Sequence, residues 1–146
     1  MNKYRYILFI ALTFLFLGAC SNNKEIKEAA YQYSYAMANY RVDEAEPYST
    51  QETISSTLEI ARRMITKIDT SYIISDTPAE ITITKIEQTS DTSAYAIYHK
   101  VTPIKDFSDT LQLRKREGKW LAHAPIQKVP RRHDKKSNGL TANKEG

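Results

Sequence analysis

Three histidines and ten tyrosines are the side chains of this sequence that could handle protons. Tyr95, Ile97 and His99 alternate along one stretch, so they share one face of a predicted strand. An imidazole among apolar neighbours can act as a general acid or base, but it is more often a hydrogen-bonded core residue. We find no Asp or Glu at an inward strand position beside His99, which favours the core interpretation.

Several kinds of site are not predicted. His123 and His133 have no cysteine partners and no close spacing to His99, so we predict no zinc site. No glycine-flanked serine stands at a strand-to-helix turn. With four glycines in the whole chain, there is no phosphate-binding loop. We therefore predict no metal, no cofactor and no assigned catalytic residue.

Cys20 is the one cysteine of the chain, and its position suggests a specific chemistry. Lys3 and Arg5 precede an uncharged run over residues 7–17, which is the layout of a secretory signal. That run is shorter than the roughly 20 residues of a membrane-spanning helix. The segment Leu17-Gly18-Ala19-Cys20 resembles the lipobox of bacterial lipoproteins. The resemblance implies a diacylglycerol on the Cys20 sulfur, cleavage just before Cys20 and acylation of the new N-terminus. The alternative is ordinary signal cleavage after Ala19.

The net charge of +4 is divided unevenly along the chain. The leader contributes +2 and the residues after Gln127 contribute +4, whereas the body from Cys20 to Gln127 holds thirteen basic and fifteen acidic residues. Because the basic residues lie at the two ends, we predict no nucleic-acid-binding fold. The basic segment 128–146 is predicted to be disordered; it either grips anionic lipid or cell-wall polymer, or is simply solvated.

Hydrophobic spacing predicts two main helices. The first runs from Glu25 to about Tyr40, with its apolar positions three and four residues apart. A single turn or loop follows up to Tyr48. Ser49 and Glu52 have the spacing of a capping box, which predicts the start of a second helix that extends to about Ile68.

The second half of the chain predicts an antiparallel sheet. Period-two alternation begins at Ile81, slips near Lys85 as at a β-bulge, and resumes over Ser93–Val101. After a connection over 103–107, Leu111 and Leu113 mark a third strand, and a Glu117-Gly118 hairpin leads to a last strand over 120–126. We therefore predict an α+β fold in which N-terminal helices pack on a curved antiparallel sheet of about four strands, a cone-like roll, after a cleaved signal peptide.

Two segments resemble the nuclear transport factor two-like, or cystatin-like, superfamily, and more narrowly small Bacteroidetes-type lipoproteins within it. They are Asn39 to Thr50, between the two helices, and the terminal hairpin Glu117-Gly118-Lys119-Trp120. The resemblance covers roughly Lys24 to Gln127 and implies a cone with a concave pocket, but no particular reaction. Since Ser21-Asn22-Asn23 lacks the acidic run that favours surface export in such lipoproteins, the resemblance favours an outer-membrane site that faces the periplasm.

Together these features predict four parts: a signal peptide over 1–19, a lipidated tether over 20–24, one domain over 25–127 and the tail over 128–146. We expect a protein held on the membrane by lipid on Cys20 that works by binding. Its partner would be an envelope protein, or a small apolar ligand in a pocket that contains Tyr33, Tyr95, Ile97 and His99. One alternative is an isomerase-like or dehydratase-like enzyme in which His99 acts with Tyr95 or Tyr33. Another is a structural accessory subunit with a packed pocket. The oligomeric state is not predicted.

Overall fold

The computed structural model of the chain describes residues 23–126. Its first helix, α1, spans residues 23–38 and therefore begins within the predicted tether, two residues before the expected start. The predicted apolar stripe is confirmed, because one face of α1 is buried at Ile26, Ala29, Ala30, Tyr33 and Ala36. The helix ends at a turn in which Tyr40 adopts a left-handed backbone conformation with φ of 60°.

A short turn links the two main helices, as predicted. It consists of α2, Val42–Ala45, and a 3₁₀ turn, Glu46–Tyr48, that has Pro47 in its first positions. Val42 and Ala45 are both buried against the core. On the exposed side Arg62 forms ion pairs with Asp43, at 2.7 Å, and with Glu46.

The second long helix is interrupted by a π-helical segment. It comprises α3, Gln51–Thr53, then π-helical Ile54–Leu58, then α4, Glu59–Ile65. The predicted capping residue is wrong by one position: Thr50 is the N-cap, and its hydroxyl accepts from the Thr53 amide at 3.4 Å. Ser49 instead donates to the Ala45 carbonyl at 2.8 Å. Its hydroxyl is thus committed to the preceding turn.

A further helix, α5, spans Thr70–Ser75 and lies ahead of the cis peptide bond between Thr77 and Pro78. The sequence shows only a short apolar run here, with no helical period. The side chain of Asp69 caps the helix by accepting from the Ser71 amide at 2.7 Å.

The four strands form one antiparallel sheet in the order β1-β2-β3-β4, which confirms the predicted α+β fold. Their bounds are β1 Glu80–Ser90, β2 Ser93–Thr102, β3 Lys105–Arg116 and β4 Lys119–Ala122. The predicted bulge is confirmed, because the β1–β2 register shifts between Ile83 and Lys85. The connection from β2 to β3 is a turn over 103–104, shorter than expected.

The last strand ends earlier than predicted, at Ala122, because the next residues bind to the second helix. The Ala124 amide and Thr53 Oγ1 lie 2.9 Å apart, and the Thr57 hydroxyl donates to the Ala124 carbonyl. His123 Nδ1 lies 3.1 Å from Thr50 Oγ1. These contacts fix the end of the sheet against α3.

One face of the sheet packs against the helices and forms the core. Its fully buried residues include Ala94, Ala96, Leu113 and Ala122, and they contact α1 and the second helix through Ile26, Ala30 and Leu58. Small side chains on the central strand let the helices approach the sheet closely. Among residues 23–126, no helix is long and apolar enough to cross a membrane.

Candidate functional site

The four residues predicted to share a pocket do not lie together. Tyr33 is buried on α1 beneath the sheet, where burial raises the pKa of its phenol to about 12. Tyr95, Ile97 and His99 lie on the opposite face of β2, and Tyr95 is 37% exposed. The predicted alternation along β2 is present, but the face that carries Tyr95, Ile97 and His99 points away from the helices, so these residues do not share a pocket with Tyr33. Ala94 and Ala96 face the helices instead.

His99 has a carboxylate neighbour that the sequence analysis missed. Its Nε2 lies 3.2 Å from Asp106 Oδ1, and its Nδ1 lies 3.2 Å from Ser108 Oγ. Ser108 is the cross-strand partner of His99, and Asp106 lies two residues before Ser108 on β3. The pairing of β2 with β3 therefore brings the Asp106 carboxylate to the imidazole. That register could not be deduced before the β2–β3 turn was known.

Asp106, His99 and Ser108 are residue types that occur in proton relays, but here they lie on an exposed face of the sheet. The Asp106 side chain is 70% exposed, and β2 is paired on both sides, so its amides are engaged in the sheet. The backbone amides of β2 are therefore not free to stabilise a negative charge that develops in a reaction at this surface. The geometry therefore favours a surface hydrogen-bond network.

The interior of the cone is filled by side chains. Ile26, Leu58 and Leu113 are the largest apolar residues that are fully buried, and Trp120 closes the core at 4% exposure. Tyr98 is partly buried against the same cluster, and burial with the nearby Asp109 raises its pKa to about 12. Space for a ligand is found instead at the surface, beside α1.

A groove of about 790 Å³ lies between the start of α1, the 3₁₀ turn and β4. This groove, which we call the α1 groove, has an apolar wall formed by Ala29, Pro47, Tyr48, Trp120 and Leu121. Its charged rim is formed by Lys24, Glu25, Glu28 and Lys119. A smaller groove of about 430 Å³ adjoins the same helix turns on the side of β1. The start of α1 is thus flanked by open space on both sides.

Trp120 belongs both to the core and to the wall of the α1 groove. Within residues 23–126, its buried indole Nε1 has no hydrogen-bond partner. Buried donors are nearly always paired, so this unpaired N–H is exceptional within the core. The Gly118 turn places Trp120 here: Gly118 has a φ of 79°, which suits glycine, and the chain reverses directly into β4.

A second polar cluster lies at the other end of the domain, around Asp76. The Asp76 side chain is fully buried and accepts hydrogen bonds from Tyr40 at 2.6 Å, Thr102 at 2.7 Å and Lys105 at 3.1 Å. Lys105 also donates to the Tyr72 hydroxyl at 2.6 Å. We call these five residues the Asp76 cluster. Nothing in the sequence marked it except that Asp76 precedes a Thr-Pro pair.

The charges of the Asp76 cluster are set by its hydrogen bonds. Burial opposes ionisation of Asp76, but donation from Tyr40, Thr102 and Lys105 outweighs it and lowers the carboxyl pKa to about 2. Conversely, burial and the bond to Asp76 raise the pKa of Tyr40 to about 12. The bonds to Tyr72 and Asp76 raise the pKa of Lys105 above its ordinary value. At neutral pH this is therefore an ion pair between Asp76 and Lys105, beside the neutral phenol of Tyr40.

The described residues contain no group of three or more His, Cys, Asp or Glu side chains that could hold a metal ion. Cys20, with the whole leader, and the basic tail after Gln127 lie outside the described residues.

Comparison with known proteins defines the fold. The structure is similar to that of an NTF-2-like protein of unknown function from Shewanella oneidensis MR-1, with a TM-score of 0.50 and 14% identity. The match covers 69% of this chain and 93% of that chain. The chain therefore has the NTF-2-like fold, as the resemblance implied. No protein-family model matches the sequence, and no curated protein is significantly similar to it.

Proposed function

We propose that this protein is a lipid-anchored binding module of the cell envelope, on the periplasmic side of the outer membrane, and that its ligand occupies the α1 groove. The observation that carries the proposal is the contrast between a filled cone and an open groove. The groove volume of about 790 Å³ is in the range of small-molecule sites, which run from about 300 to 1,000 Å³.

The position of the groove relative to Cys20 suggests where its ligand comes from. Helix α1 begins at residue 23, and the three residues from Cys20 can span at most about 10 Å. A lipid on Cys20 would hold Lys24 and the groove rim close to the bilayer surface. A site at that height meets molecules that have an apolar chain and a polar head.

The chemistry of the groove agrees with such an amphiphilic ligand. The wall of Tyr48, Trp120 and Leu121 would cover an apolar chain, and the charged rim would remain in contact with water. Burial of each methylene contributes about 0.8 kcal/mol.

Trp120 is the one tryptophan of the chain, so its fluorescence reports on the groove directly. The protein from residue 20 onward, with Cys20→Ser, would be titrated with a short monoacyl phospholipid below its micelle concentration. We expect a saturable change of Trp120 emission that Leu121→Glu abolishes. The matched control is Met64→Glu, an exposed apolar position on α4 outside the groove. Binding that Leu121→Glu leaves unaltered would disprove the proposal.

A filled cone also fits an accessory subunit that contacts only other proteins. The same variants separate the two functions. If the lipid does not bind, but crosslinking in membranes captures a protein through Lys24 or Lys119, the groove belongs to a protein partner.

A further inference from the structure

Lys100 lies on the core-facing side of β2, beyond the end of the packed core. It follows Ala94, Ala96 and Tyr98 on that face, at the strand end next to the Asp76 cluster. Its ammonium lies 5.8 Å from the centroid of the Phe107 ring. Within residues 23–126, no carboxylate forms an ion pair with it, although the side chain is half-buried. A half-buried cation without a counter-ion is unfavourable, and burial lowers the pKa of Lys100.

Asp76 does not supply the missing counter-ion. Its Oδ1 accepts from Thr102, and its Oδ2 accepts from both Tyr40 and Lys105. Its single negative charge is thus matched by Lys105. Lys100 and Thr102 lie two residues apart on the same face of β2, and Lys105 is the cross-strand partner of Thr102, so Lys100 and Lys105 are neighbours at this end of the sheet.

Three sets of hydrogen-bond donors remain available at this end of the sheet. Lys105 has three N–H groups and uses two of them, on Tyr72 and Asp76. An ammonium has no acceptor, so Tyr72 receives this bond and keeps its own O–H to donate. The ammonium of Lys100 adds the third set.

We propose that Lys100, Lys105 and Tyr72 form a binding site for an oxyanion, the carboxylate or phosphate group of a small ligand. Apolar surface stands beside these donors: Phe107 is 42% exposed, Tyr72 is 40% exposed and Ile104 is 49% exposed. The ligand therefore carries an apolar or aromatic body next to its anionic group. Charge-assisted hydrogen bonds to two ammonium groups would orient it.

This site is independent of the α1 groove. Lys105 begins β3 directly after the β2–β3 turn and binds Tyr72 of α5, whereas the groove adjoins the β3–β4 hairpin, at the other end of β3. The twelve residues of β3 make the separation roughly 35 Å. Failure of one proposal therefore leaves the other standing.

Benzoate and inorganic phosphate are suitable probes, because they carry the two kinds of oxyanion with and without an aromatic body. We would titrate the mature chain with each and follow amide NMR shifts of Lys100 to Phe107. We expect saturable shifts with benzoate and a dissociation constant on the order of 1 mM, typical of a fragment. Saturation with phosphate and not benzoate would identify a phosphate ligand.

Lys100→Met tests the role of the lysine. We expect benzoate affinity to fall at least about tenfold, while the thermal midpoint of the unliganded protein rises, since an uncompensated charge is removed. A lysine with only a structural role would lower that midpoint. Lys100→Arg keeps the positive charge and should retain binding. It therefore shows whether a loss of binding in Lys100→Met comes from the lost charge or from misfolding. Lys85→Gln, an exposed lysine paired with Glu87 on β1, is the matched control.

Two results would overturn the proposal. One is the absence of saturable shifts with either anion in the wild-type chain. The other is binding of equal strength in wild type and Lys100→Met.

Discussion

The Tyr40 hydroxyl donates to Asp76 Oδ2 at 2.6 Å, and this bond joins the end of α1 to the end of α5. Tyr40 has a left-handed backbone conformation that is uncommon for residues other than glycine, asparagine and aspartate. Asp76 is the C-cap of α5 and also binds Thr102, at the end of β2. One buried carboxylate thus connects two helices and the sheet.

Removal of the Asp76 charge should destabilise the whole domain. Hydrogen bonds to charged groups contribute about 1.5–3 kcal/mol each, so we expect Asp76→Asn to lower the free energy of unfolding by about 2 kcal/mol or more. Urea unfolding followed by Trp120 fluorescence measures this. Asp106→Asn, with a side chain that is 70% exposed, should stay within about 0.5 kcal/mol of wild type. Equal effects of the two variants would contradict the role given to Asp76.

The same carboxylate should give the protein a defined sensitivity to acid. Its pKa is about 2 in the folded chain, against about 3.9 for an unfolded aspartate. The stabilisation is therefore complete above about pH 4 and is lost as the pH falls toward 2. Unfolding free energies measured over that range should fall more steeply for wild type than for Asp76→Asn. Parallel profiles would argue against a lowered pKa.

The assignment of the two sheet faces can be tested with truncations. Leu113 is fully buried on the core face, so Leu113→Ala should cost about 2–5 kcal/mol. Tyr95 lies on the exposed face, and Tyr95→Ala should cost less than about 1 kcal/mol. Thermal or urea unfolding distinguishes the two. A larger loss at Tyr95 would mean that its face is covered in solution.

The lipid anchor predicts a simple fractionation result. Cys20→Ser removes the thiol that would carry the diacylglycerol, so we expect loss of lipid labelling and a chain that is released from membranes or left unprocessed. Cys20→Ala serves as a second variant. Unchanged membrane fractionation and gel mobility would rule out the anchor.

The basic segment 128–146 offers a further test. If it grips anionic lipid or polymer, truncation after Pro130 should weaken the salt dependence of membrane or cell-wall association. An unchanged salt dependence would mean that the segment is merely solvated.

Elements set by local periodicity were predictable from the sequence. The spacing of Ile26, Ala30 and Tyr33 indicated α1, and the slip near Lys85 indicated the bulge, because both are properties of neighbouring residues. Helix α5 was not predictable in this way, since it is too short to show a helical period.

Features that depend on pairing between distant segments were not predictable. Alternation along β2 defines two faces, but which one is buried depends on the helices that cover Ala94 and Ala96. Asp76 meets Tyr40 across 36 residues, and His99 meets Asp106 only through the β2–β3 register. The hydrogen bonds of Asp76 and of His99 both depend on such contacts.

The bulge in β1 affects whether the sheet can pair with a strand of another molecule. Within the described sheet, β1 is an edge strand, and its outer backbone groups could pair with a strand of another molecule. The register shift before Lys85 interrupts that template, and the charged pair of Lys85 and Glu87 stands along it. An edge of this kind resists strand addition. If the proposed lipid anchor holds these molecules side by side on a membrane, such an edge would let them reach a high local concentration without aggregating through their sheets.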